Sequence, residues 1–247
     1  MLVLAIETTG PNCSAALLDT GATGADRIRE LRTDEVLNHL QTLTPMIKQL
    51  LEETGNDLRN VDRIAVSVGP GSFTGIRIGV TTARALAQVT GIRLIAVPTL
   101  FGFGFGELLQ DPSRIVCPTF DARRHQVYAG AYSMEDGRAH RVVAGGPYML
   151  DEFLGLLEEA GAMDNLLFVG DGLKPYAEMI SEWTQNSGAG AEQALRFQRA
   201  YFVAQAAEYM LAHSDSFPRM TDLTHEELQP NYMRIPEAER KLKEKQK

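Results

Sequence analysis

The sequence is short of several things, and each shortage removes a class of explanation. It has only two cysteines in 247 residues, Cys13 and Cys117, set in apolar runs 104 positions apart with no C-x-x-C spacing. No disulfide framework or thiolate cluster follows from that, and a reducing cytoplasm is the expected compartment. No apolar run approaches the roughly 20 residues that span a bilayer, and no basic stretch precedes the first apolar residues, so the chain reads as neither embedded nor exported. Basic residues are outnumbered 24 to 32, a net charge of −8. Polyphosphate surfaces repel such a protein, so any work on nucleic acid is expected to pass through a partner. The one basic concentration follows Pro236, where Arg240, Lys241, Lys243, Lys245 and Lys247 face Glu237, Glu239 and Glu244; it reads as a solvated tail. The five histidines form no i, i+3 or i, i+4 pair, so spacing supports no metal site.

What is present is an alternation of apolar runs and helical patterns. Leu2 to Ile6 and Cys13 to Leu18 read as strands around the polar turn "ETTGPN", with a weaker extended piece at Arg27 to Thr33. Leu40, Leu43, Ile47, Leu50 and Leu51 recur at helical spacing up to Gly55, with Pro45 expected to kink that helix or cost it a hydrogen bond. Ile64 to Val68 reads as a strand, Ile76 to Val89 as a helix stopped by Gly91, and Ile92 to Val97 as a strand. After a boundary at "DPSR" (111–114), Ile115 to Phe120 and Val127 to Tyr132 read as strands around "DARRHQ". An offset of 114 lays Asp121 on Glu7 and Val127 on Cys13. The chain therefore repeats one design: strand, acidic residue, polar turn, returning strand. A short strand at Val142 and Val143, a helix near Glu152 to Glu159, a strand at Leu166 to Val169, a loop at "NSGAGAE" and a helix at about Ala200 to Ala212 complete the second half. The closing "PNYMR" reads as an extended, docked segment anchored by Tyr232 and Met233. This is an α/β pattern of two related subdomains, residues 1–110 and 111–235, followed by the tail 236–247. It suggests the duplicated actin-like, sugar-kinase and Hsp70 ATPase architecture, ribonuclease H-like in each half, with a nucleotide cleft between the halves.

The stretch "SVGPGSFTGIRIGVTTARALA" (67–87) looks at first like a phosphate loop. A Walker A loop needs a lysine that 69–77 lacks, and the dinucleotide loop needs G-x-G-x-x-G where this chain has G-x-G-x-x-x-G. An anion nest at the helix N-terminus stays open. Gly71, Gly75, Gly79, Ala83 and Ala87 also recur every four residues, a ridge that lets another backbone come close. Packing on the chain's own sheet accounts for one side, but Ile76, Ile78, Val80 and Leu86 spread apolar surface more widely. The expectation is therefore a partner interface that includes Gly75, Ile76, Gly79, Val80, Ala83 and Ala87.

"LAIETTGPNCSAALL", "NHLQTLTPMI", the glycine stretch, "DARRHQVYAGAY" and "PNYMR" stand in family order and together resemble the TsaB (YeaZ) family, between Leu4 and Arg234. The resemblance implies a role in forming threonylcarbamoyladenosine beside the anticodon of tRNA, as a non-catalytic platform for its paralogue TsaD, with the ATPase TsaE joining. It implies a TsaD contact through the helix after the glycine loop, with His39 at a family position. It leaves a homodimer of the isolated chain open, and it implies no cofactor of the chain's own, though ATP or ADP at a complex interface stays open. No membrane contact is expected.

The residues agree with a non-catalytic role. Where TsaD carries an H-x-x-x-H metal pair, this chain has Thr99 and Phe103, and phenylalanine cannot ligate. After Asp121 the phosphate-cradling glycines of the actin-like kinases are replaced by Ala122, Arg123 and Arg124. The family's usual aspartate is Glu7 here, whose extra methylene displaces the carboxylate by roughly 1.5 Å. "FVGDG" (168–172) reads as an adenosine-binding turn or a plain surface turn. Glu7, Thr8, Asp121 and Arg123 are then a vestigial nucleotide cleft. Two alternatives remain: a nucleotide-dependent phosphotransferase using Glu7 and Asp121, and a peptidase, for which no triad or metal pair can be found. Ser72 lacks the G-x-S-x-G elbow of a nucleophile.

Overall fold

The computed structural model describes residues 1–33 and 38–233. The first half runs β1 (Leu2–Glu7), β2 (Ser14–Asp19), β3 (Ile28–Arg32), α1 (His39–Glu53), β4 (Arg63–Ser67), α2 (Phe73–Thr90), β5 (Arg93–Val97) and α3 (Thr99–Leu108). The second repeats it: β6 (Ile115–Asp121), β7 (Gln126–Glu135), β8 (Arg138–Met149), α4 (Leu150–Glu159), β9 (Leu166–Val169), α5 (Leu173–Ser187), β10 (Ala191–Ala194) and α6 (Ala200–Ala212). The sheets have orders β3-β2-β1-β4-β5 and β8-β7-β6-β9-β10, so each strand of one half has its counterpart in the other. Both begin with antiparallel strands and continue in parallel. This is the duplicated actin-like architecture.

Strand alternation sorts the core into layers. On β1, Leu4 and Ile6 join Leu43, Leu50, Ile76 and Val80 beneath α1 and α2, whereas Val3 and Ala5 face α3 and α6. On β6, Val116 and Phe120 also face α3 and α6, while Cys117 turns outward to α4 and α5. The molecule therefore stacks as helix pair, sheet, central helix pair, sheet, helix pair. The last helix α6 packs back on the first half: Ala200 N donates to Ser14 Oγ, and Arg199 and Arg27 pair with Glu30 and Glu208.

Four elements depart from the sequence reading. Helix α3 carries "FGFGFG", costly in helix propensity. It forms because every residue from Thr99 to Leu108 is buried between the sheets; added Cβ atoms at Gly104 and Gly106 would strike Tyr132 and Phe202. Helix α5 follows the "FVGDG" turn over a stretch for which no element is expected, and strand β10 begins at the end of the expected loop; β10 is short and polar and exists through parallel pairing with β9. Strand β8 is longer than its expected two residues because it completes a twelve-residue edge against β7. Pro45 lies inside an unbroken α1 with its ring exposed, the cost being its missing N–H. The basic tail lies outside the described residues.

Candidate functional site: two unequal hairpins and an outward helix pair

The first hairpin and the glycine loop are stitched to each other. Glu7 is buried, and one carboxylate oxygen accepts the Thr9 N–H at 2.5 Å and the Thr9 hydroxyl at 2.6 Å. Its other oxygen accepts the Ser67 hydroxyl from the end of β4. Burial pushes this carboxyl above its ordinary range, and the bonds from Ser67 and Thr9 oppose that rise. Thr8 donates to the Gly75 carbonyl at 2.7 Å, and Ser72 N donates to the Thr9 carbonyl at 2.8 Å. Glu7 and Thr8 are thus buried and spent on groups of their own chain, Glu7 on two hydroxyls and one backbone N–H, Thr8 on a backbone carbonyl.

This stitching explains the glycines. A Cβ at Gly75 would run into the Thr8 carbonyl oxygen, one at Gly79 into the Thr8 hydroxyl, and one at Gly71 would lie 2.6 Å from the Thr9 carbonyl oxygen. Gly69, at φ +116°, passes under the Asn231 carbonyl. The close partner of the ridge is the chain itself. This corrects the expectation placed on Gly75, Ile76, Gly79, Val80, Ala83 and Ala87, all buried beneath α2. His39 is buried too, its Nε2 3.0 Å from the Gly10 carbonyl oxygen, so it braces the first hairpin from inside.

The second hairpin answers the first in a looser form. Asp121 is half-buried; its Oδ1 accepts the Arg123 N–H at 2.7 Å, and its Oδ2 lies 3.2 Å from the exposed Arg123 guanidinium. Asp171 accepts the Asp121 N–H at 3.1 Å, and burial raises its carboxyl above the usual range. Gly170 and Gly172 of "FVGDG" press on the Thr119 carbonyl oxygen of β6, the role Gly71 and Gly75 play against Thr8 and Thr9. Glu7 and Thr8 bond within the first half, and Asp121 and Arg123 within the second. A cavity of about 570 Å³ does lie between the halves, but its walls are others, among them Ser14, Glu107, Arg196, Gln198 and Arg199.

Thr99 accepts the Gly69 N–H at 3.1 Å, and Phe103 stacks between Phe120 and Phe202. Among the described residues no group of three or more His, Cys, Asp or Glu could hold a metal, and no helix is long and apolar enough to cross a membrane.

The outward face of α2 escaped the sequence reading. Phe73, Arg77, Thr81 and Ala85 follow one another at four-residue steps on the side opposite the glycines, and Val89 is 87 % exposed. The Arg77 guanidinium lies 4.2 Å from the Phe73 ring centre, Tyr232 packs on that ring at 4.8 Å, and Arg77 Nε donates to the Tyr232 hydroxyl at 3.1 Å. The neighbouring α1 presents Leu40, 76 % exposed. The signal was the same four-residue period, read on the wrong side of the helix.

Residues 35–234 match the family model described as TsaD: tRNA N6-adenosine threonylcarbamoyltransferase. A Bacillus subtilis protein named tRNA threonylcarbamoyladenosine biosynthesis protein TsaB is 32 % identical over the whole of both chains. The chain belongs to the TsaB family. An Escherichia coli TsaB is 35 % identical over 55 % of this chain and 57 % of its own length. The solved structure of YeaZ from Pseudomonas aeruginosa superposes with a TM-score of 0.74 at 27 % identity, covering 94 % of this chain and 99 % of that one. A second Pseudomonas aeruginosa structure, described as uncharacterized with similarity to peptidase YEAZ, gives 0.77 at 25 % identity over the same shares. In this TsaB-family chain the family's glycine stretch serves the internal seam between the first hairpin and α2.

Proposed function

We propose that the protein acts in tRNA threonylcarbamoyladenosine synthesis as a non-catalytic subunit that binds a TsaD-like protein through the outward faces of α1 and α2. The observation that carries this reading is the contrast on α2: its small residues are consumed internally, while Phe73, Arg77 and Tyr232 form an aromatic and guanidinium cluster on its outward face, which ends in bare Val89 near the helix C-terminus. Aromatic and arginine side chains of this kind anchor protein interfaces. The carboxylates that an actin-like phosphotransferase would use are engaged by the chain's own loops, which supports a partner role without a nucleotide or metal of its own. A TsaE-like ATPase joins the assembly, and tRNA is reached through it in the cytoplasm, which fits a chain of net charge −8.

The test is co-expression with a TsaD-like protein. Ala85→Arg and Phe73→Ala, both on the outward face, should abolish co-purification and reconstituted tRNA modification while each monomer keeps its melting temperature. Retained binding in both variants would overturn the assignment of this face. Buried positions such as Gly79 or Ala83 cannot make this test, because large side chains there disrupt the monomer. Micromolar ATP–magnesium binding with turnover by the isolated protein would instead favour the phosphotransferase.

A further inference from the structure

The duplication gives the second half its own outer helix pair, α4 and α5, and a groove of about 780 Å³ runs between them. Its apolar lining is Leu154 from α4, Met163 from the following turn, and Met179 and Trp183 from α5. Met179 is 40 % exposed. Trp183 bridges the groove, its indole N–H donating to Glu158 at 2.6 Å. Gly155 lies in the interior of α4, where glycine weakens a helix. Unlike Gly75 or Gly170, it owes nothing to its own chain: an added Cβ would meet no atom within 4 Å. That glycine keeps the groove open.

Charge selects the occupant. From Asp151 to Asn186 the chain holds eight Asp and Glu against one lysine, Lys174, a balance of −7 in a protein whose total is −8. Three of these carboxylates, Asp151, Glu158 and Glu182, rim the groove. A nucleic acid or an anionic membrane is repelled there, whereas a segment with lysines or arginines flanking an apolar stripe is matched both on the floor and on the rim. We propose that the α4–α5 groove docks a basic amphipathic helix of a partner protein, its apolar stripe on Met163, Met179 and Trp183 and its cations along the rim. Methionine-rich floors suit helix-in-groove recognition because the thioether side chain adapts its shape. This surface is on the opposite half from the α1–α2 face and does not depend on the reading of that face.

Trp183 is the only tryptophan, so the groove carries its own reporter. The probe is a synthetic leucine/lysine amphipathic peptide about 18 residues long, about 27 Å as a helix, titrated into the full-length protein while Trp183 emission is followed. The expected result is a saturable emission change that weakens with added salt and is not seen with the leucine/glutamate counterpart. Gly155→Leu, which plugs the groove, should weaken binding at least tenfold, and Glu182→Lys about threefold. If Gly155→Leu does not fold, the exposed Met179→Glu takes its place with the same expectation. Unchanged affinity in the plugged variant, equal binding by a lysine-only peptide, or no binding at all would overturn the proposal. So would a dimer of the free protein, seen by sedimentation, that Gly155→Leu dissociates, since the face would then belong to a second copy.

Discussion

The two halves of the molecule share one topology and treat their first hairpins differently. In the first, Glu7 is buried and takes three hydrogen bonds from its own chain, and the following loop is bolted to α2 through Thr8, Thr9 and Ser72. In the second, Asp121 is half-buried, engages an exposed arginine and leans on Asp171 through its backbone. Both halves keep the glycines that let a loop touch the end of the first strand; only the first has closed over its carboxylate. Two copies of one hairpin can thus keep the same backbone seam while only one of them turns its carboxylate into a structural peg. The seam is therefore weak evidence of chemistry, and the bonding state of the carboxylate is the better guide.

The largest test of this comparison is at the seams. Gly75→Ala drives a methyl group into the Thr8 carbonyl, and Gly170→Ala does the same at Thr119. Both should cost about 3 kcal/mol or more in denaturant unfolding, and a tolerated Gly75→Ala would break the account of the first half. Next come the two carboxylates. Glu7→Ala strands the buried Thr9 N–H and should cost about 2–3 kcal/mol, against about 1 kcal/mol or less for Asp121→Ala, whose neighbours reach water. Equal losses would erase the distinction between peg and open hairpin.

A glycine with no seam should respond with the opposite sign. Gly155→Ala meets open space and should stabilise the protein by up to about 1 kcal/mol through helix propensity. The smallest effect is one of pH. Burial holds the Glu7 carboxyl above its ordinary range, so as pH rises the unfolded chain releases this proton before the folded one does. Glu7 therefore withdraws stability between its ordinary and its raised value, and restores it as pH falls. Glu7→Gln has nothing to titrate there. The melting temperature of the natural protein, relative to that variant, should fall from weakly acidic to neutral pH; a flat difference would show the carboxyl unperturbed.

Much of this fold could be read from periodicity because its strands and outer helices alternate or repeat cleanly. Leu166–Val169 and Ala200–Ala212 emerge with the boundaries the sequence predicts. Helix α3 could not be read, since "FGFGFG" violates propensity and only burial between two sheets justifies it. Strand β10 is likewise a product of pairing, with no apolar alternation of its own. At the candidate site, the need for close approach along Gly71, Gly75 and Gly79 was visible, but not the identity of what approaches. Spacing reports that a helix face must be bare; it carries no information on whether Thr8 or another molecule lies against it. Nor could it reveal Tyr232 joining Phe73 and Arg77, a contact made across most of the chain.

That contact sets an order of events in biosynthesis. Arg77 and Tyr232 are separated by 155 residues, so α2 is translated long before the aromatic ring that completes its outward cluster. The segment carrying Tyr232 is also tied at Asn231 to Val68 and spans the glycine loop. A nascent or prematurely terminated chain therefore carries α2 with its outward Phe73–Arg77 cluster unfinished. The outward face of α2 is therefore a product of tertiary folding, and the helix formed alone would present a different surface.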